Sequence, residues 1–278
     1  MGTILNLLNI KKIEDSDTLI LAKGFYVDNL QLTLDRESCI GCDICSKVCP
    51  KEAISIIVKN RKPLVSIDEN KCVLCGACEP LCPTNAIRMW FNDKESNVLV
   101  EKGGFPKPTK KLDFDILACP VKCVDGAEAC PRGALKVLDG SIKFEESKCL
   151  RCPWCEDACE HQAMKVFPFF LGRISIDKSK CSKDCDVCSK VCPTNAIKME
   201  GGKPTVKERY CVFCNACLNV CGDNAIDVKR YHVFVEKGFS ALLSSSLSKL
   251  LDTRSSSRLL DTVQRNRLRS IIFESRVA

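Results

Sequence analysis

Histidine is nearly missing from this sequence. His161 and His232 are the only two in 278 residues, which leaves no histidine-rich metal site and little room for histidine-dependent catalysis. Aromatic residues are sparse as well, with 2 Trp, 3 Tyr and 12 Phe. The hydrophobic share of 45% includes the cysteines, and without them it falls to about 37%, a thin supply for the core of so long a chain. Something other than apolar packing has to hold the fold together. No apolar run is long enough to span a membrane. The first residues, Met1-Gly2-Thr3-Ile4-Leu5-Asn6, lack the basic segment and cleavage site of a signal peptide and the Ser or Thr of a myristoylation motif. Neither a dinucleotide-binding G-x-G-x-x-G nor a phosphate-binding G-x4-G-K-[ST] occurs, and no acid–base or nucleophile constellation stands out. The expectation is a cytoplasmic chain in a reducing compartment, without a catalytic centre of its own.

Cysteine is what the chain has in excess, at 23 residues. Cys39, Cys42, Cys45 and Cys49 form C-x2-C-x2-C-x3-C followed by Pro50, and Cys72, Cys75, Cys78 and Cys82 repeat it before Pro83. Cys149, Cys152, Cys155 and Cys159 have the same spacing, as do Cys211, Cys214, Cys217 and Cys221. Cys181, Cys185, Cys188 and Cys192 carry one extra residue after the first cysteine and end in Pro193. Cys119, Cys123 and Cys130 complete the count, the last before Pro131. This is the bacterial-ferredoxin spacing, in which three nearby thiolates hold three irons of one cubane and the fourth reaches to the other cluster of a pair. Zinc knuckles also use paired C-x2-C, but need neither the third cysteine nor the C-x3-C-P ending. An odd count in a reducing compartment argues against a disulfide framework.

A second periodicity lies over the first. Cys119, Cys123, Cys130, Cys149, Cys152, Cys155 and Cys159 recur 62 residues later as Cys181, Cys185, Cys192, Cys211, Cys214, Cys217 and Cys221. Cys188 alone has no earlier counterpart, because Gly126 stands there. The repeat therefore pairs the sets and predicts three tandem dicluster units in a loop-rich α+β fold. Their bounds are 35–105, 106–168 and 169–237, with an N-terminal extension over 1–34 and a C-terminal docking tail over 238–278. Pro106, Pro108 and the basic run to Lys111 mark the first join, and Pro168 to Arg173 the second.

After each fourth cysteine come a small and an apolar residue: Ala53-Ile54, Ala86-Ile87, Ala134-Leu135, Ala163-Met164, Ala196-Ile197 and Ala225-Ile226. Each C-P-x-x-A-I reads as the first turn of a short helix, or a turn, against the cluster. Alternating stretches at Leu32–Asp35, Leu64–Ile67, Ile142–Glu145 and Ile174–Asp177 read as strands. Clusters replace the missing core, so metal assembly and folding are expected to be coupled.

Crossed ligation then sets Cys39, Cys42 and Cys45 with Cys82, and Cys72, Cys75 and Cys78 with Cys49. It sets Cys149, Cys152 and Cys155 with Cys130, Cys181, Cys185 and Cys188 with Cys221, and Cys211, Cys214 and Cys217 with Cys192. These are five fully cysteine-ligated [4Fe-4S] clusters. A sixth site has only Cys119, Cys123 and Cys159. A [4Fe-4S] cluster with water or a carboxylate from Asp125 or Glu128 is expected there, with [3Fe-4S] as the alternative. Trp154, inside Cys152-Pro153-Trp154-Cys155, reads as packing over a cluster rather than as a relay. His161 is either a sulfur-tuning donor or an exposed loop residue.

The formal charge of +7 overstates how basic the loaded protein is, since it scores bound thiolates as neutral. No aromatic-interleaved basic patch signals nucleic acid. In the tail, Leu243, Leu247, Leu250 and Leu251 recur at helical spacing, predicting an amphipathic helix over 240–252 suited to docking on a partner.

The cysteine pattern over 39–226 resembles the polyferredoxins of anaerobic archaea. Three features are most similar to the polyferredoxin subunit of formylmethanofuran dehydrogenase. They are the variant set beginning Cys181-Ser182-Lys183-Asp184-Cys185, its alternation with the shorter set, and the tail from Lys237-Gly238-Phe239 to Leu250. The resemblance implies an electron conduit, not an enzyme by itself. Its implied partners are other ferredoxin-like subunits and a tungsten or molybdenum pterin core that interconverts CO2 and formylmethanofuran in methanogenesis. That subunit usually has four pairs of sets, and this chain has three. The other readings are a polyferredoxin of a hydrogenase or heterodisulfide reductase system and a free electron carrier.

Overall fold

The computed structural model describes residues 10–25, 28–105, 109–115, 118–119, 124–138, 141–235 and 246–251. Short strands and shorter helices make up these residues, with loops between them. Strands β1 (Lys11–Glu14), β2 (Thr18–Gly24) and β3 (Asn29–Asp35) run antiparallel and continue through β6 (Ile87–Phe91) to β7 (Lys94–Glu95), giving one five-stranded sheet. Between β3 and β6 the chain makes a separate hairpin, β4 (Ile54–Lys59) with β5 (Lys62–Ile67).

This arrangement of an inner hairpin and an outer strand pair recurs twice. The inner hairpins are β9 (Leu135–Leu138) with β10 (Ser141–Phe144), and β13 (Ile197–Glu200) with β14 (Lys203–Val206). The outer pairs are β8 (Leu112–Phe114) with β11 (Met164–Val166), and β12 (Phe170–Ile176) with β15 (Ile226–Val233). All four expected alternating stretches fall within or at the end of these strands. The hairpins close tightly because two successive residues take positive φ: Asn60-Arg61, Asn92-Asp93 and Gly201-Gly202. That geometry matches the right-handed twist of the paired strands.

The N-terminal stretch is part of the first sheet rather than an appendage. Leu19 and Leu21 on β2 are fully buried against Leu32 and Leu34 on β3, with Ile54, Val65 and Ile67 in the same cluster. The joins are also less loose than their composition suggests. Lys111 is buried, and the stretch read as the second join, Pro168 to Arg173, enters the core through Phe169 and Phe170.

Core placement follows neither sequence order nor the expected units. Ile44, Val48, Ala77 and Leu81 share one cluster with Ile174, Ile197, Phe213 and Ile226, so stretches 35–105 and 169–237 are packed together. The middle stretch keeps a small cluster of its own: Leu135, Cys155, Cys159, Ala163, Met164 and Val166. Of the helix expected over 240–252, residues 246–251 are described and Leu243 lies outside them. Leu247 and Leu250 are buried in the larger cluster, and Lys249 Nζ lies 3.8 Å from Glu52. These two leucines therefore cover the chain's own core and are not free to dock a partner. Among the described residues no helix is long and apolar enough to cross a membrane.

Candidate metal centres

Each fourth cysteine sits in the same backbone device. The residue three positions on takes positive φ in all six cases: Glu52, Asn85, Gly133, Gln162, Asn195 and Asn224. Its own N–H closes a turn onto the cysteine carbonyl, for example Glu52 N to Cys49 O at 3.2 Å. The next residue is the buried alanine, and its N–H is thereby aimed at the cysteine sulfur. These bonds measure 3.4 Å to Cys49, 3.2 Å to Cys82, 3.2 Å to Cys130 and 3.3 Å to each of Cys159, Cys192 and Cys221. The same alanine's carbonyl accepts from the residue at the end of the neighbouring strand, at 2.8 Å in all six. Both polar groups of a buried residue are thus satisfied, and the sulfur gains a hydrogen-bond donor.

The C-P-x-x-A-I segment is therefore a turn and not a helix, because a residue of positive φ cannot continue a right-handed helix. The short helices lie one step earlier, around the third cysteine. Ile44–Val48, Trp154–Asp157, Val187–Val191 and Ala216–Val220 carry Cys45, Cys155, Cys188 and Cys217. Left-handed residues also bend the loops between cysteines, among them Gly41, Leu74, Arg151 and Phe213. At Gly41 a side chain would lie 2.3 Å from the Pro63 ring, so only glycine fits.

The folded loops surround cavities. One is lined by Cys49, Cys72, Cys75 and Cys78. A second is lined by Cys130, Cys149, Cys152 and Cys155. A third is lined by Cys192, Cys211, Cys214 and Cys217. In each, the three close cysteines of one set meet the fourth of the paired set. Two further groups converge in the same crossed sense: Cys82 acts on Cys39, Cys42 and Cys45, and Cys221 on Cys181 and Cys188. Burial pushes the Cys39, Cys42, Cys45 and Cys78 thiols up, and burial together with neighbouring thiols takes Cys152 and Cys155 to about 12 and Cys188 and Cys214 to about 11. As bare thiolates they are unfavourable, and bound iron relieves both causes. Among the described residues no three such side chains converge as ligands of one ion do. The 22 described cysteines are all free of disulfides. Soft sulfur donors, enclosed space and N–H groups aimed at sulfur fit a thiolate-held cluster at each cavity.

Basic and aromatic side chains tie these sites to one another; of these, the sequence singled out only Trp154, as packing, and Lys111, as the end of a basic run. Arg230 and Asp43 form a buried ion pair at 3.0 Å, with side chains 3% and 8% exposed. Arg230 also donates to the Phe213 and Cys42 carbonyls at 2.7 and 3.3 Å, and Asn215 to Asp43 at 3.0 Å. This junction brings the Cys42 and Cys214 sets together, close enough for Cys214 to raise Cys42. Between the first and middle stretches, Lys111 Nζ donates to the carbonyls of Pro83, Glu146 and Cys149 at 2.9, 2.8 and 3.2 Å. Burial lowers its pKa, and lowers that of nearby Arg151 to about 10. Between the middle and last stretches, Trp154 stacks on Tyr210 with ring centroids 3.6 Å apart and donates to the Thr194 carbonyl at 2.8 Å. Trp154 also lines the cavity of Cys130, Cys149, Cys152 and Cys155, so it does pack over that site.

At the incomplete set, Cys119 packs against the cluster that contains Cys159, and Cys123 lies outside the described residues. Asp125 and Glu128 are exposed at the two ends of a short helix, Asp125–Glu128, whose buried residue is Gly126. Glu128 lines a surface cleft with Trp154, Ser189 and Tyr210. His161 is exposed on the turn after Cys159.

A family model for the 4Fe-4S dicluster domain matches residues 38–86. The polyferredoxin protein MvhB of Methanothermobacter marburgensis is 29% identical over 90 residues, covering 30% of this chain and 21% of that protein. An iron–sulfur protein of Rhodospirillum rubrum is 26% identical over 114 residues, 32% of this chain and 58% of that one. The chain is a polyferredoxin-like 4Fe-4S protein. Its match to these relatives is partial, for it spans 21% and 58% of their lengths. The solved structure of the formate dehydrogenase–heterodisulfide reductase–formylmethanofuran dehydrogenase complex of Methanospirillum hungatei contains a chain with TM-score 0.79 and 28% identity, covering 87% of this chain and 91% of that one. The polyferredoxin-like chain thus has a structural counterpart, over most of its length, in one chain of a multi-subunit oxidoreductase complex.

Proposed function

We propose that this chain is the polyferredoxin subunit of a formylmethanofuran dehydrogenase system, built as three dicluster units over 35–105, 106–168 and 169–237. In this reading it carries electrons to or from a core that interconverts CO2 and formylmethanofuran, and it catalyses nothing by itself. The clusters supply one-electron steps at low potential. The chain's own residues hold them in fixed positions, shield them from water and set their electrostatic surroundings. Ligands are the crossed sets named from the sequence. The observation that carries the reading is the contiguity of those sets across the joins: Cys42 beside Cys214, Lys111 between Pro83 and Cys149, and Trp154 between its own cavity and Thr194. Such contacts suit a branched conduit better than a carrier that exchanges one partner at a time. The structural counterpart in the Methanospirillum complex supports the choice of system.

The second reading is service to heterodisulfide reductase, which that complex also contains. Anaerobic isolation of the native protein separates the two. Co-purification with a molybdenum- or tungsten-containing formylmethanofuran dehydrogenase is expected. Isolation with a heterodisulfide reductase lacking that core favours the second reading, and recovery as a lone small protein overturns both. Iron and acid-labile sulfide analysis should give more than about twenty irons per chain, at four irons per cubane.

A further inference from the structure

Five of the six sets pair a third cysteine with a branched aliphatic residue five positions after the crossed fourth cysteine. The pairs are Cys45 with Ile87, Cys78 with Ile54, Cys155 with Leu135, Cys188 with Ile226 and Cys217 with Ile197. The sixth pair is Gly126 with Met164, so both members change together. In all three cavities the aliphatic member lines the space with its cysteines: Ile54, Leu135 and Ile197. By the same register Met164 belongs to the site of Cys119 and Cys159, and it is buried in one cluster with Cys159, against which Cys119 packs. A side chain started at Gly126 would lie 2.8 Å from both Sδ and Cε of Met164. The methionine's sulfur end thus fills the space that a third cysteine would need. The two carboxylates that could have served instead are exposed.

We infer that Met164 replaces the missing third cysteine, its thioether serving as a neutral ligand to the iron that no thiolate reaches. Thioethers are soft donors that bind iron elsewhere, in haem proteins, and suit a site built of sulfur. A neutral donor in place of a thiolate leaves that cluster one unit less negative, which raises its reduction potential above that of a fully thiolate-bound cluster in the same setting.

The inference rests on the iron–sulfur reading above, and its test keeps the two apart. The full chain, labelled with selenomethionine and isolated anaerobically, is read at the selenium absorption edge. One of its four methionine seleniums should have iron at bonding distance, and Met164→Leu should abolish that signal. The same substitution should convert one cluster to the three-iron form in electron paramagnetic resonance. Gly126→Cys combined with Met164→Ile recreates the Cys188–Ile226 pair. This double variant should fold, keep its iron, lose the iron–selenium signal and lower the potential of one cluster, and it decides the matter if the single variant misfolds. An iron-loaded chain whose selenium spectrum is indifferent to residue 164, or one that holds only five clusters, overturns the inference. A chain that takes up no iron and sulfide overturns the iron–sulfur reading instead.

Discussion

Cys188 and Ile226 stand in the last stretch where Gly126 and Met164 stand 62 residues earlier. The two stretches share a strand order and the same turns at their fourth cysteines, yet they are anchored differently. The last stretch shares a core with the first and is joined to it by Arg230 and Asp43, both nearly inaccessible. The middle stretch has a small core of its own and meets the last through a stack of Trp154 on Tyr210 and an exposed Arg209–Asp157 pair. The glycine at 126 thus lies in the stretch that keeps a core of its own. Local ligand chemistry and long-range anchoring are separable in this fold, even between repeats of nearly identical cysteine pattern.

That contrast is broken most forcefully at Arg230. Arg230→Ala leaves Asp43 buried without a counter-charge and should cost about 3–5 kcal/mol. Hydrogen exchange under anaerobic conditions should lose protection at 40–48 and 211–221 while 149–166 is unchanged. Loss spread evenly over all three stretches would mean that the middle one depends on the same anchor.

Leu250→Ala comes next. Emptying a buried site in the shared core should cost about 3 kcal/mol, read as a lower denaturant midpoint for cluster bleaching. The effect should again spare 149–166. An unchanged midpoint would show that residues 246–251 leave the core in solution.

The smallest effect is expected at Tyr210. Tyr210→Ala removes the stack on Trp154, worth about 1 kcal/mol beyond area burial, while the indole keeps its bond to the Thr194 carbonyl. Loosened exchange confined to residues 154–158 is the expected readout. A cost equal to that of Arg230→Ala would erase the distinction between the two joins.

Ligand chemistry was legible in the sequence because it is local. Three sulfurs within seven residues, a fourth four residues later and a proline after it specify a cluster loop whatever surrounds them. The internal period was legible too, and with it the glycine at 126 where the later repeat has Cys188. The alanine after each fourth cysteine announced a tight fit, but not its cause. That lies in the preceding left-handed residue, a type as varied as Glu, Gln, Asn and Gly, which turns the alanine N–H onto sulfur. Only the tertiary structure decided how the three stretches meet. The burial of Lys111, Arg151 and Arg230 could not be read from the sequence, since burial of a cation depends on carbonyls and carboxylates tens to nearly two hundred residues away. The place of Met164 was decided in the same way. Its sequence position five residues after Cys159 was visible, but its nearness to Gly126 arises only when β11 and the helix Asp125–Glu128 close on each other. Packing fills whatever space a missing side chain leaves, and which neighbour fills it is a property of the fold.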